Sequence, residues 1–153
     1  MRTEKITAER LTENIQKRID IQNTQPERFN ARLNLQLEEV NTEANIKAVF
    51  GFNVGEWCLN PYGDVHGGVV ASILDTSMGL GAAGICESNV NTTDMTVSYL
   101  SAMNTHRFYI CCEYTKIGRR MIRCISRAED KHGKVYATAM ASFMVMGDEK
   151  TIG

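Results

Sequence analysis

Between residues 60 and 84 the chain reads NPYGDVHGGVVASILDTSMGLGAAG, and this stretch limits the fold more than any other. It is the only long helix candidate in the middle of the chain, and everything around it alternates like strand. On a helix beginning near Gly68, residues Val70, Ile73, Leu74, Ser77 and Met78 recur at i, i+3, i+4 spacing and form a stripe that should bury against a sheet. Asp75 falls on a different face, with Gly68, Ala71, Ser72 and Gly79 as its neighbours one and two turns away. That second face is small almost throughout, so another backbone or a thin ligand can come close to it. Gly79 and Gly81 each cost about 1 kcal/mol relative to alanine inside a helix, which suggests a steric need. The plain alternative is that Asp75 is a solvated residue on an exposed helix face.

The rest of the chain supplies the sheet. Residues 7–22 read as an amphipathic helix with a narrow stripe of Leu11, Ile15 and Ile19, expected to pack on the rim, and Pro26 follows in a connector. Residues 31–41 alternate through Leu33, Leu35 and Leu37 and read as a strand. A hairpin near residues 41–43 should pair them with a second strand carrying Ile46, Ala48, Phe50 and Phe52 on one face. After the central helix come four runs, 92–102, 107–117, 119–130 and 134–146, with KIGRR and EDKHGK as tight turns. In the last run the shared face of Val135, Ala137, Ala139, Ala141, Phe143 and Val145 is mostly small, as where a helix lies close to a sheet. The expectation is an α+β layer fold, one long helix against a largely antiparallel sheet of about six strands, preceded by an N-terminal helix. One helix covers only one face of such a sheet, which favours oligomers. The division expected is a helical extension and connector over 1–30, the main domain over 31–147 and a short tail over 148–153.

Composition narrows the functional classes. With 153 residues, 43% apolar and 23% charged, the chain suits one globular domain that needs neither disulfide nor metal to hold its core. The net charge of −1 and pI of about 6.3 give no basic balance for nucleic acid or anionic lipid, so an anionic ligand must be met by a local cluster. The start, MRTEKITAERL, is charged and unlike a secretory signal, and no window is apolar over the roughly 18 residues a membrane span requires. Cys58, Cys86, Cys111, Cys112 and Cys124 are odd in number and lack ligand spacing, which leaves them as packing or surface residues and a reducing cytoplasm as the expected location. No metal site and no cofactor are expected.

Gly67 and Gly68 sit where a loop enters the helix. The first N–H groups of a helix lack intrahelical partners and carry partial positive charge, so they can bind an oxyanion or polarise a carbonyl. Glycine lets a substrate carbonyl reach them, and His66 just before can orient the loop or bond the ligand. A tight turn alone would also account for the glycine pair.

The residues VHGGVVASILD, then TTDMTVSYLSAM, then KIGRR, resemble the hotdog-fold acyl-CoA thioesterases of the PaaI-type subgroup, over roughly residues 33–146. The resemblance implies a long central helix wrapped by a curved antiparallel sheet, and hydrolysis of an acyl-CoA thioester to free acid and CoA. It implies a homodimer paired through the sheets, with two dimers assembled into a tetramer, and each site built from the His-Gly-Gly loop of one chain and the helix carboxylate of the other. Asp75 matches the catalytic carboxylate, as general base or as nucleophile. Gly67 matches the residue whose N–H polarises the thioester carbonyl, supported by His66. Asn60 matches a polar residue that helps position water or carbonyl, and Thr92 falls where some members hold the attacking water with a serine. Gly68 and the basic turn Lys116, Arg119 and Arg120 would meet the CoA moiety, whose phosphates suit Lys and Arg; a solvated turn that blunts a sheet edge is the alternative for the turn. Arg123 and Arg127 lie on one face of the next strand and would extend that patch. A non-catalytic acyl-CoA sensor and a hydroxyacyl- or enoyl-thioester dehydratase or hydratase using His66 and Asp75 are the competing functions. The absence of a convincing helix-turn-helix weighs against the first, and the motif pattern weighs against the second.

Overall fold

A computed structural model describes residues 5–147, so the expected tail over 148–153 lies outside the described residues. The elements are helix α1 (Ala8–Asn23), short helix α2 (Phe29–Leu33), strands β1 (Gln36–Asn41) and β2 (Lys47–Asn53), helix α3 (Gly67–Cys86), and strands β3 (Asn89–Tyr99), β4 (Arg107–Ile117), β5 (Met121–Glu129) and β6 (Val135–Gly147). A single 3₁₀ turn at Glu56–Cys58 lies between β2 and α3. The six strands form one antiparallel sheet in the order β1-β2-β4-β5-β6-β3.

That order explains the long helix. The chain leaves β2 near one edge of the sheet and returns as β3 at the opposite edge, and α3 is the connection that carries it between them. Val70, Ile73, Leu74, Ser77 and Met78 are all buried, so the expected stripe is the packing face. It meets Phe50, Phe52, Phe108, Ile110 and Phe143, which are themselves fully buried, and the small residues Ala137, Ala139 and Ala141 of β6. Each large apolar side chain so enclosed contributes about 1.5–3 kcal/mol relative to exposure. By length and apolarity α3 could cross a membrane, contrary to the expectation from the sequence, but 61% of its most apolar stretch is buried inside the fold.

The glycines at the helix end have partners in the same chain. A Cβ on Gly81 would collide with the Tyr114 hydroxyl, which donates to the Met78 carbonyl at 2.8 Å. A Cβ on Gly84 would lie 2.7 Å from Ile15 Cγ1 and 3.1 Å from Leu11 Cδ1. Helix α1 is therefore not a rim helix. Its stripe of Leu11, Ile15 and Ile19 is buried and joins the same core, because Gly84 lets the two helices approach closely. Asn14 Nδ2 also donates to the Gly84 carbonyl at 3.0 Å, satisfying an acceptor that the helix end leaves open.

Two boundaries differ from the sequence reading. Residues 31–33 belong to α2, not to a strand: α2 ends at Asn34 in the left-handed conformation, and β1 starts only at Gln36. Strand β3 runs from Asn89 to Tyr99 and so both begins and ends three residues earlier than expected, starting directly after α3 turns at Glu87.

Candidate functional site

The loop before α3 is fixed from both sides. The His66 N–H donates to the Cys58 carbonyl at 2.8 Å, and the Val65 N–H donates to the Met103 carbonyl at 3.0 Å. Asn60 closes the turn between: its Oδ1 accepts from the N–H groups of Tyr62 at 2.9 Å and Asp64 at 3.1 Å. This commits the carbonyl end of Asn60 to the turn and leaves its NH2 as the end with donors to offer.

His66 is the N-cap of α3. Its Nδ1 accepts from the Gly68 N–H at 2.9 Å, so in the neutral ring the proton sits on Nε2, which is a donor. The His66 carbonyl accepts from Val69 at 2.9 Å and Val70 at 3.0 Å. The Gly67 N–H, on the other end of the same peptide group, projects out of the helix start without an intrahelical acceptor. A Cβ on Gly68 would meet the His66 ring at 3.1 Å, which accounts for glycine there; a Cβ on Gly67 would meet nothing closer than the Tyr99 ring at 3.6 Å.

Asp75 lies two turns further along and is partly exposed. Thr92 Oγ1 on β3 donates to Asp75 Oδ1 at 2.7 Å, so the structure brings these two candidates together. Of the small neighbours expected around Asp75, Ser72 turns its hydroxyl back to the Gly68 carbonyl at 2.7 Å, while a Cβ on Gly79 would lie 3.4 Å from the Phe143 ring. Eight residues separate Gly67 from Asp75, about 12 Å along the helix axis. Within one chain the carboxylate and the Gly67 N–H therefore do not converge on one small group.

The basic residues Lys116, Arg119 and Arg120 are exposed around the turn from β4 to β5. The turn is closed by the Gly118 N–H on the Met121 carbonyl at 2.8 Å and tied to β6 by the Val145 N–H on the Arg120 carbonyl at 2.9 Å. Ile122, Phe143 and Thr92 are consecutive partners across β5, β6 and β3. The basic turn thus shares the Thr92 end of the sheet, about two strand spacings, or ~10 Å, away. Arg127 does not extend the patch, because its Nε donates to Glu129 Oε2 at 2.8 Å.

One residue of the site escaped the sequence reading. The Tyr99 hydroxyl donates to the Gly67 carbonyl at 2.7 Å. Tyr99 sits at the far end of β3, 32 residues from Gly67 in sequence, and no spacing in the chain links them.

Comparison with known proteins bears on this geometry. Residues 62–137 match the thioesterase superfamily, a span that contains every site residue above except Asn60. No curated protein sequence matches the chain. Among solved structures, the chain is similar to the E. coli PaaI protein from the phenylacetic acid degradation operon, with a TM-score of 0.76 at 13% identity over 92% of this chain and 96% of that one. It is similar to a thioesterase family protein from Silicibacter pomeroyi, with a TM-score of 0.76 at 20% identity over 90% and 98% of the two chains. It is also similar to a putative thioesterase, a phenylacetic acid degradation-related protein, from Ralstonia eutropha JMP134, with a TM-score of 0.74 at 20% identity over 86% and 99%. At these identities the likeness establishes the hotdog fold.

Proposed function

We propose that this chain, whose residues 62–137 match the thioesterase superfamily, cleaves an acyl-CoA to the free acid and CoA at a site shared by two copies of the chain. The observation that carries this reading is the Asp75 carboxylate, partly exposed and held by the Thr92 hydroxyl at 2.7 Å on an edge strand. Strand β3 has β6 on one side only, so its other edge is open to a second chain. Thr92 and Tyr99 lie about 23 Å apart on that strand. Antiparallel pairing of two β3 edges about their middle would bring the Thr92 end of each toward the Tyr99 end of the other. The Asp75 of one copy would then approach the Gly67 N–H of its partner, which removes the separation of about 12 Å found within one chain.

In this arrangement the thioester carbonyl oxygen accepts from the Gly67 N–H at the positive end of α3. Asp75 takes a proton from water as the water oxygen attacks the carbonyl carbon, the C–S bond breaks, and the CoA sulfur leaves as thiolate to be protonated. In the alternative route the carboxylate attacks first and water opens the resulting anhydride, giving the same products. Neither route calls on a cofactor or metal. Asn60 and the His66 Nε2–H supply further donors beside the carbonyl. Lys116, Arg119 and Arg120 supply charge for the CoA phosphates, and Gly68 keeps the loop thin where the pantetheine passes. We assign the protein to the cytoplasm, where acyl-CoA is made and used.

The test is a panel of aromatic and aliphatic acyl-CoAs with the free acid measured directly, run on the wild type and on Asp75→Asn, with native mass measured in parallel. Turnover by the wild type, a fall of about 100-fold or more in the variant and the mass of at least two chains are expected. Equal turnover by both proteins would remove Asp75 from the chemistry. Binding without turnover would favour a sensor, and enoyl–hydroxyacyl interconversion without hydrolysis would favour a hydratase.

A further inference from the structure

We propose that Tyr99 is a positioning residue: together with His66 it clamps the Gly67–Gly68 peptide and thereby holds the neighbouring Gly67 N–H on the thioester carbonyl. The inference rests on the reading of Gly67 given above. A peptide group is planar, so fixing both of its ends fixes its plane. The Gly67 carbonyl accepts from the Tyr99 hydroxyl at 2.7 Å, and the Gly68 N–H at the other end of that group donates to His66 Nδ1 at 2.9 Å. The preceding peptide is held only at its oxygen, where the His66 carbonyl accepts from Val69 and Val70. Its N–H is the donor offered to substrate.

A glycine pair at a helix start needs such a clamp. Glycine has the widest backbone freedom, and helix ends fray. An oxyanion donor works because it is aimed before the reaction begins. Without the clamp, rotation about Gly67 would spread the N–H over several directions.

Tyr99 is itself well anchored. It pairs with Ala137 across β3 and β6, and the next two N–H groups, of Leu100 and Ser101, donate to the Tyr136 carbonyl at 2.9 and 3.1 Å. The Tyr136 ring packs edge-on against Phe108 with centroids 5.1 Å apart. In the single chain Tyr99 is nonetheless 57% exposed, so there water could satisfy its hydroxyl and burial does not demand this bond. What the bond contributes is direction.

The test is Tyr99→Phe, which keeps the ring against Gly67 and removes only the hydroxyl. The expected result is a kcat lower by about three- to tenfold, a fraction of the 10²–10³ lost when an oxyanion donor is removed outright. KM should stay within about twofold and native mass unchanged, with Tm within about 2 °C, the shift of a surface substitution. In the amide NMR spectrum the Gly68 nitrogen should shift and its hydrogen exchange should quicken. A variant with wild-type kcat overturns the inference. So does a loss of kcat that tracks a lowered Tm or an altered mass. A wild type that hydrolyses nothing in the panel overturns instead the reading of Gly67 on which the inference rests, and it does so before any variant is compared.

Discussion

The Thr92 hydroxyl donates to the Asp75 carboxylate at 2.7 Å, joining the edge strand to the central helix at the one acidic residue the helix contains. A hydrogen bond to a charged group is worth about 1.5–3 kcal/mol. Thr92→Val, which keeps the shape and removes the donor, should lower kcat by about tenfold or more. Thr92→Ser should stay within about threefold of the wild type. Steady-state kinetics on one acyl-CoA decide it, and equal rates for Thr92→Val and wild type would show that the bond is idle in catalysis.

The helix glycines should differ in their tolerance of alanine. Gly81→Ala forces its methyl into the Tyr114 hydroxyl and should cost about 1–3 kcal/mol, the usual range for overpacking, despite the better helix propensity of alanine. Gly67→Ala meets only the Tyr99 ring at 3.6 Å and should leave stability within about 1 kcal/mol. Urea unfolding of both variants checks the contrast.

Helix α1 should matter through its apolar stripe far more than through its charges. Leu11 is fully buried against α3, so Leu11→Ala should cost about 2–5 kcal/mol. The Arg10–Glu87 ion pair, 2.7 Å apart with Arg10 58% exposed, should contribute no more than about 1 kcal/mol. Denaturation midpoints of Leu11→Ala and Arg10→Ala measure the two terms.

Cys111 should resist alkylation at neutral pH although it is only half-buried. Burial, and then the Glu129 carboxylate that accepts from its Sγ at 3.3 Å, push the thiol up to about 11. The thiolate is the reactive form, so labelling should stay slow at pH 8 and rise as pH approaches that value. Glu129→Gln removes the nearby charge and should speed labelling at a fixed pH. Mass spectrometry after iodoacetamide treatment reads both effects, with the unfolded protein labelled at all five cysteines as the reference.

Local patterns made much of this legible. The stripe from Val70 to Met78, the inward face of β2 and the bounds of β4 follow from periodicity alone, because a buried face repeats at the period of its element. The strand expected over residues 31–41 starts late because three alternating leucines also satisfy a short helix followed by a strand: Leu33 is buried from α2, and the turn at Asn34 resets the register. The depth of α1 was hidden since a narrow stripe looks peripheral until a facing glycine, Gly84, is known to admit it. Strand order was not legible either, for β2 pairs with β4 across the whole of α3 and β3 pairs with β6. In the site, Asp75, His66 and the glycines stood out because they break the pattern of their helix. Tyr99 did not, since a tyrosine at a strand end breaks nothing, and its contact with Gly67 exists only once the sheet has assembled.

The two edges of the sheet are unequal. The β1 edge is six residues long, carries a bulge between Leu37 and Glu39, and presents the exposed acids Glu38 and Glu39, with Glu38 bound by Arg107. The β3 edge is eleven residues long, and its two register shifts against β6, between Asn89 and Val90 and between Thr92 and Asp94, fall in its first half, so the run from Asp94 to Tyr99 is regular. A strand can add to the second far more readily than to the first. Open-ended growth into fibres needs each copy to keep a free, receptive edge, so in the proposed pairing of two β3 edges neither copy would have an inviting edge left to offer a third.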